Sequence, residues 1–140
     1  MGVTITATNS TYEFHMGYGG FFNLRRNIAI ALDKEFGEVY ANLSSCITDS
    51  QFIANDKNAE FIINKNCLKD NYADVLEFLY MPDSNGSVPY TTCRSIYKLI
   101  KDIDFKDKTF RYGAYANNDY EEFKRFLLEC VSKRRKMRWY

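Results

Sequence analysis

The period of the apolar residues changes near the start of this chain, and that change sets its fold class. Over residues 3–8, Val3, Ile5 and Ala7 alternate with Thr4, Thr6 and Thr8, the two-residue repeat of a strand with one buried face. Tyr12-Glu13-Phe14-His15-Met16 keeps the habit after an Asn9-Ser10 turn signal. From Phe21 the repeat becomes helical, with Phe21, Leu24, Ile28, Leu32 and Phe36 three or four residues apart. Val39, Tyr40 and Leu43 carry the stripe on, so the spacing predicts one helix over 21–43 with Gly37 inside it, at about 1 kcal/mol relative to Ala.

Further helices are predicted near 68–80, ended by Met81-Pro82, near 90–103, with Ser87 as its cap, and near 119–132. Strands are predicted over 110–116 and 136–140, and residues 44–60 read as polar and irregular. Strands and helices that do not alternate imply an α+β domain, about four helices packed on a small, mainly antiparallel sheet. A chain of 140 residues suits one such globular domain over 1–140.

Charge narrows the partners. Nineteen cations against 18 anions give +1, which is not the balance of a general nucleic-acid binder. Five of the cations, Lys133, Arg134, Arg135, Lys136 and Arg138, crowd the last eight residues, leaving residues 1–132 net negative. No cysteine pair among Cys46, Cys67, Cys93 and Cys130 has zinc-knuckle or C-x-x-C spacing, and the helical positions of Cys93 and Cys130 suit reduced core thiols. The first residues lack the basic and apolar regions of a secretory signal, and no apolar run approaches a membrane span, so the expected setting is the cytoplasm, with no membrane partner.

The stretch most suited to ligand chemistry is Gly17-Tyr18-Gly19-Gly20-Phe21-Phe22-Asn23-Leu24-Arg25-Arg26. A glycine-rich turn feeding a helix offers free backbone N–H groups, and arginines one turn in would add guanidinium donors for phosphate or carboxylate. It matches neither the P-loop nor the dinucleotide fingerprint, and tight packing around the glycines explains it equally. The candidate ligand residues are Tyr18, Gly19, Gly20, Asn23, Arg25 and Arg26. Arg111, Tyr112 and Tyr115 join them from a predicted strand that would supply a stacking wall.

His15 is the only histidine, and a base or a Cys–His pair would have to use it, although a single strand histidine is more often structural. Asp83-Ser84-Asn85-Gly86 superficially suits a calcium loop, but aligning Gly86 with the sixth position puts Met81 and Thr92 where carboxylates are needed. The reading therefore assigns no cofactor, no metal and no catalytic residue. The tail residues Arg134, Arg135, Arg138 and Trp139 could track phosphates, stack a base or meet an acidic protein surface, or simply end a helix and begin a strand.

Gly17-Tyr18-Gly19-Gly20-Phe21 followed by Leu24-Arg25, with Asp83-x-Asn85-Gly86-Ser87 and Cys93 before an apolar helix, resembles small bacterial, prophage and phage proteins of no assigned chemistry. The resemblance implies a mobile-element origin, hence a host cytoplasm, and a counter-defence role exerted by binding. Two binding readings follow, and both favour a non-enzymatic protein. The first is capture of a phosphorylated small molecule such as a nucleotide signal, in a sponge-like manner and as a homo-oligomer; a nucleic acid is the less favoured ligand. The second is inhibition of a host defence protein through the aromatic surface and basic tail. A small hydrolase using His15 is the third reading.

Aromatic residues run through every reading: 11 Phe, 11 Tyr and 1 Trp. Phe21, Phe36, Tyr72, Tyr97 and Phe123 fall on helical core stripes. Tyr12, Tyr18, Tyr112, Tyr115, Trp139 and Tyr140 fall on turns or predicted strands near arginines, where exposure would make them ligand contacts.

Overall fold

A computed structural model describes the chain except residues 1, 44–45 and 111–116 and the side chains of residues 18, 108 and 117–119. Its strands are β1 (Gly2–Ala7), β2 (Glu13–Gly17), β3 (Gly86–Val88) and β4 (Met137–Trp139). Its α-helices are α1 (Tyr18–Leu32), α2 (Lys34–Leu43), α3 (Asp49–Lys65), α4 (Leu68–Tyr80), α5 (Tyr90–Ile100) and α6 (Asn117–Lys133). The fold is α+β as the periodicity predicts, with six α-helices among the described residues rather than about four.

The sheet has the order β2-β1-β4-β3, and every pairing is antiparallel. The last strand thus lies in the middle, beside the first. Alternation divides the sheet as the first residues promised. Val3, Ile5, Ala7, Phe14, Met16, Val88, Met137 and Trp139 are buried, and Thr4, Thr6, Glu13, His15, Ser87 and Arg138 point the other way.

Rings knit the buried face to the helices. Trp139 packs 5.8 Å from Phe21 and 5.5 Å from Phe78, and Phe14 meets Phe126 at 5.5 Å and Phe123 at 6.4 Å. Gly86 is required where it pairs with Trp139, because a Cβ there would come within 2.2 Å of the indole. Cys93 and Cys130 are buried free thiols between α5 and α6, and the Cys93 pKa is raised, first by its hydrogen bond with Cys130 and then by burial.

The helix predicted over 21–43 is two helices. Asp33 is extended (φ −164°, ψ 124°), and its Oδ1 accepts from the Phe36 amide at 2.8 Å, so it caps α2 after α1 has ended. Gly37 is then not a tolerated defect but the contact point of the helical hairpin, since a Cβ there would lie 2.5 Å from Ile30 Cα.

Residues 44–60, read as irregular, contain most of α3. Thr48 and Gln51 form a reciprocal capping box, a signal present in the sequence as Thr-x-x-Gln. β3 occupies residues expected to form a turn and a helix cap, and Pro89 rather than Ser87 precedes α5. Phe110 ends a short 3-10 turn, and the remainder of the strand predicted over 110–116 lies outside the described residues. Among the described residues no helix is long and apolar enough to cross a membrane.

Candidate ligand-binding face

Arg25 leaves the predicted site entirely. Its side chain is 2% exposed, and its guanidinium reaches across to the end of α4. Nη2 donates to the carbonyls of Phe78 (2.8 Å), Leu79 (2.5 Å) and Met81 (2.6 Å), while Nη1 meets Asp83 Oδ1 at 2.5 Å. The plane lies near the Phe21 and Phe78 rings, 5.5 Å and 5.4 Å from their centroids. A helix leaves its last four carbonyls without intrahelical donors, and a rigid fork of N–H groups suits that end. Arg25 is therefore a cap for α4, and Asp83, the would-be calcium ligand, is its counter-ion.

The rest of that cluster disperses. Asn23 Oδ1 accepts from Arg26 Nη1 at 3.1 Å, and the Arg26 guanidinium lies 5.1 Å from the Phe22 ring, away from the helix start. Gly19 and Gly20 sit in the first turn of α1 behind the N-cap Gly17, which has no side chain with which to cap them. Tyr18 opens the helix, but its side chain lies outside the described residues, as do Arg111, Tyr112 and Tyr115. The sequence places the glycines and arginines within ten residues. The helix separates them along its axis, and Arg25 and Arg26 turn to α4 and to Asn23 and Phe22 instead.

The tail also divides. Trp139 is buried, its Nε1 donating to the Pro82 carbonyl at 3.0 Å, so it is a core residue and not a partner contact. Arg135 Nη1 donates to the carbonyls of Thr8 (3.0 Å) and Asn9, tying the tail to the β1–β2 turn. Arg134 takes a positive φ of 53° at the end of α6 and is exposed. Lys133 pairs with Glu129 at 2.7 Å. Tyr12, grouped with the exposed aromatics by its position, packs 5.4 Å from Phe126.

What remains is the face of the sheet that no described element covers, which sequence reasoning did not assemble. Arg138 sits opposite Thr6, which sits opposite Glu13, and Ser87 flanks Arg138 on the other side. In the next row Tyr140 exchanges two backbone hydrogen bonds with Thr4 (2.8 and 3.0 Å), and Thr4 pairs with His15. Residues two apart on β4 share a side, so the Arg138 guanidinium lies 5.4 Å from the Tyr140 ring centroid. Tyr140 is 52% exposed.

Thr4 Oγ1 is 2.9 Å from His15 Nδ1, which holds the imidazole with Nε2 outward, 4.0 Å from a Glu13 carboxylate oxygen. Thr4, His15 and Gly17 also line a depression of about 310 Å³ beside the start of α1. Among the described residues no carboxylate pairs with Arg134, Lys136 or Arg138.

This face can stack a ring, donate to an anion and accept from an amine. The Cys–His pair that the sequence left open with Cys46 is not formed: His15 touches the Thr4 hydroxyl and Glu13, whereas Cys46 touches Asn42 and Asn55. No group of three or more His, Cys, Asp or Glu among the described residues could hold a metal ion. No protein-family model, no curated protein and no solved structure matches this chain.

Proposed function

We propose that this chain is a non-enzymatic binding protein that takes a phosphorylated, ring-bearing small molecule, of the nucleotide class, on the open face of its sheet. The observation that carries the reading is the pairing of an exposed Tyr140 ring with the Arg138 guanidinium, with β1 between them and His15. A base would lie against the exposed part of the Tyr140 ring, a contact worth about 1–3 kcal/mol. Arg138 and Lys136 would serve the phosphate, and the hydroxyls of Thr4 and Thr6 would meet the sugar. The first-turn amides of α1, at Gly19 and Gly20, offer a second place for negative charge. Glu13 would accept from an exocyclic amine.

Binding without turnover agrees with the sequestering role that the resemblance to phage proteins implied. Relative to the sequence reading, the ligand class is kept and the residues change: Tyr140, Arg138, His15, Thr4 and Thr6 replace Arg25 and Arg26. Calorimetry of the intact protein against mononucleotides and cyclic nucleotides tests it. Saturable heat with at least one ligand is expected, weakened roughly tenfold or more by Tyr140→Ala and by Arg138→Ala. No heat with any phosphorylated ligand would overturn it.

A further inference from the structure

The first half of α3 packs lightly: its Phe52 lines a depression of about 220 Å³ with Arg26, Tyr40, Leu43 and Tyr80. Residues 49–58 contain no buried side chain, and the helix is held by Ala59, Ile62 and Ile63 near its other end. Yet this half carries Phe52 and Ile53, 48% and 53% exposed, and Ile47 just ahead of it is 90% exposed. A helix face this apolar belongs against another surface. Continuing from that depression through the shared Tyr80, a groove of about 290 Å³ between the second half of α3 and α4 is lined by Ile63, Ala73, Leu76 and Tyr80.

Charge identifies what would fill it. The carboxylates of Asp56 and Glu60 on α3 lie close enough to the Tyr80 phenol to raise its pKa, in addition to the effect of burial, and Glu77 lines the groove from α4. None of these three acids has a cationic partner among the described residues. Lys69 is the one cation lining the groove. An apolar floor with an acidic rim repels an anionic lipid surface and attracts apolar residues flanked by Lys or Arg.

We infer that the α3–α4 groove is a docking site for a basic amphipathic helix of another protein. Its apolar face would cover Phe52, Ile53 and Tyr80, and its cations would pair with Asp56, Glu60 and Glu77. This site shares no residue with the sheet face, and the two stand or fall separately.

The probe is a fluorescein-labelled Leu/Lys peptide of about fourteen residues, two helical heptads, measured by anisotropy against the intact protein. Two control peptides have the same composition in scrambled order and Glu in place of Lys. Saturable one-to-one binding is expected for the amphipathic basic peptide alone. Affinity should fall roughly tenfold or more in Phe52→Ser and in the Asp56→Lys, Glu60→Lys double variant, and be unchanged in Arg138→Ala. All four substituted positions are exposed, and circular dichroism checks that each variant stays folded. Equal binding of the scrambled peptide, or affinity that survives the groove substitutions, would overturn the proposal. So would sedimentation showing that the protein dimerises through this groove, which would make its occupant a second copy of the chain.

Discussion

Arg25 Nη1 and Asp83 Oδ1 lie 2.5 Å apart over the end of α4, joining the first helix to the turn before β3. The same guanidinium holds three carbonyls, so removing it would leave a helix end without donors as well as an unpaired Asp83. Arg25→Met is expected to destabilise the protein by about 3–5 kcal/mol, the range for breaking a buried ion pair from one side. Arg25→Lys keeps the charge but loses the fork and should recover only part of that loss. Urea denaturation with an unchanged m-value checks both.

Gly86→Ala addresses the other contact beneath the binding face. The added methyl would meet the indole of Trp139 at 2.2 Å, a ring with no room to retreat because Phe21 and Phe78 pack against it. Overpacking of this kind costs roughly 1–3 kcal/mol. Trp139 is the only tryptophan and is fully buried, so a red shift of its emission in the folded variant is the expected signature.

Alkaline pH should weaken the packing of α2 on α4. The Tyr40 hydroxyl donates to the Leu79 carbonyl at 2.6 Å, and burial pushes its pKa up to about 12 from 10.0. A folded-state pKa above the unfolded value gives stability that is complete below pH 10.0 and is lost as pH rises through about 12. The urea midpoint should fall across that window, and Tyr40→Phe should flatten the fall. Tyrosinate absorbance should show phenols that ionise late.

Thr48→Ala removes half of the capping box that starts α3. The expected cost is about 1 kcal/mol, concentrated in residues 49–58, where no buried side chain compensates. Amide hydrogen exchange should quicken there and remain unchanged at Ile62 and Ile63.

The legible parts of this fold are those where one local pattern acts alone. The Val3–Thr8 alternation and the α6 stripe each fix an element by their own period, whereas the α4 stripe runs through a kink at Tyr72 (φ −132°, ψ 27°) that its spacing does not mark. The Leu32–Lys34 break was hidden because Leu32 and Phe36 keep helical spacing across it, and only Asp33 marks the cap. β3 is three residues long and owes its existence to β4, which no local pattern reveals. For the site, sequence proximity misled: Arg25 neighbours the glycines in the chain, but its side chain reaches the end of α4 instead. Thr4 and His15 lie on two strands and Tyr140 directly follows a third, and antiparallel pairing alone brings them into one row.

Amide chemical-shift mapping during titration with a nucleotide that gives heat tests the central claim most directly. The expected shifts are confined to Thr4, Thr6, Glu13, His15, Lys136, Arg138 and Tyr140 and the first turn of α1, with none at Arg26 or along α3. Shifts centred on Arg26 and the depression it lines with Tyr40, Leu43 and Tyr80, or none on the open sheet face, would contradict it.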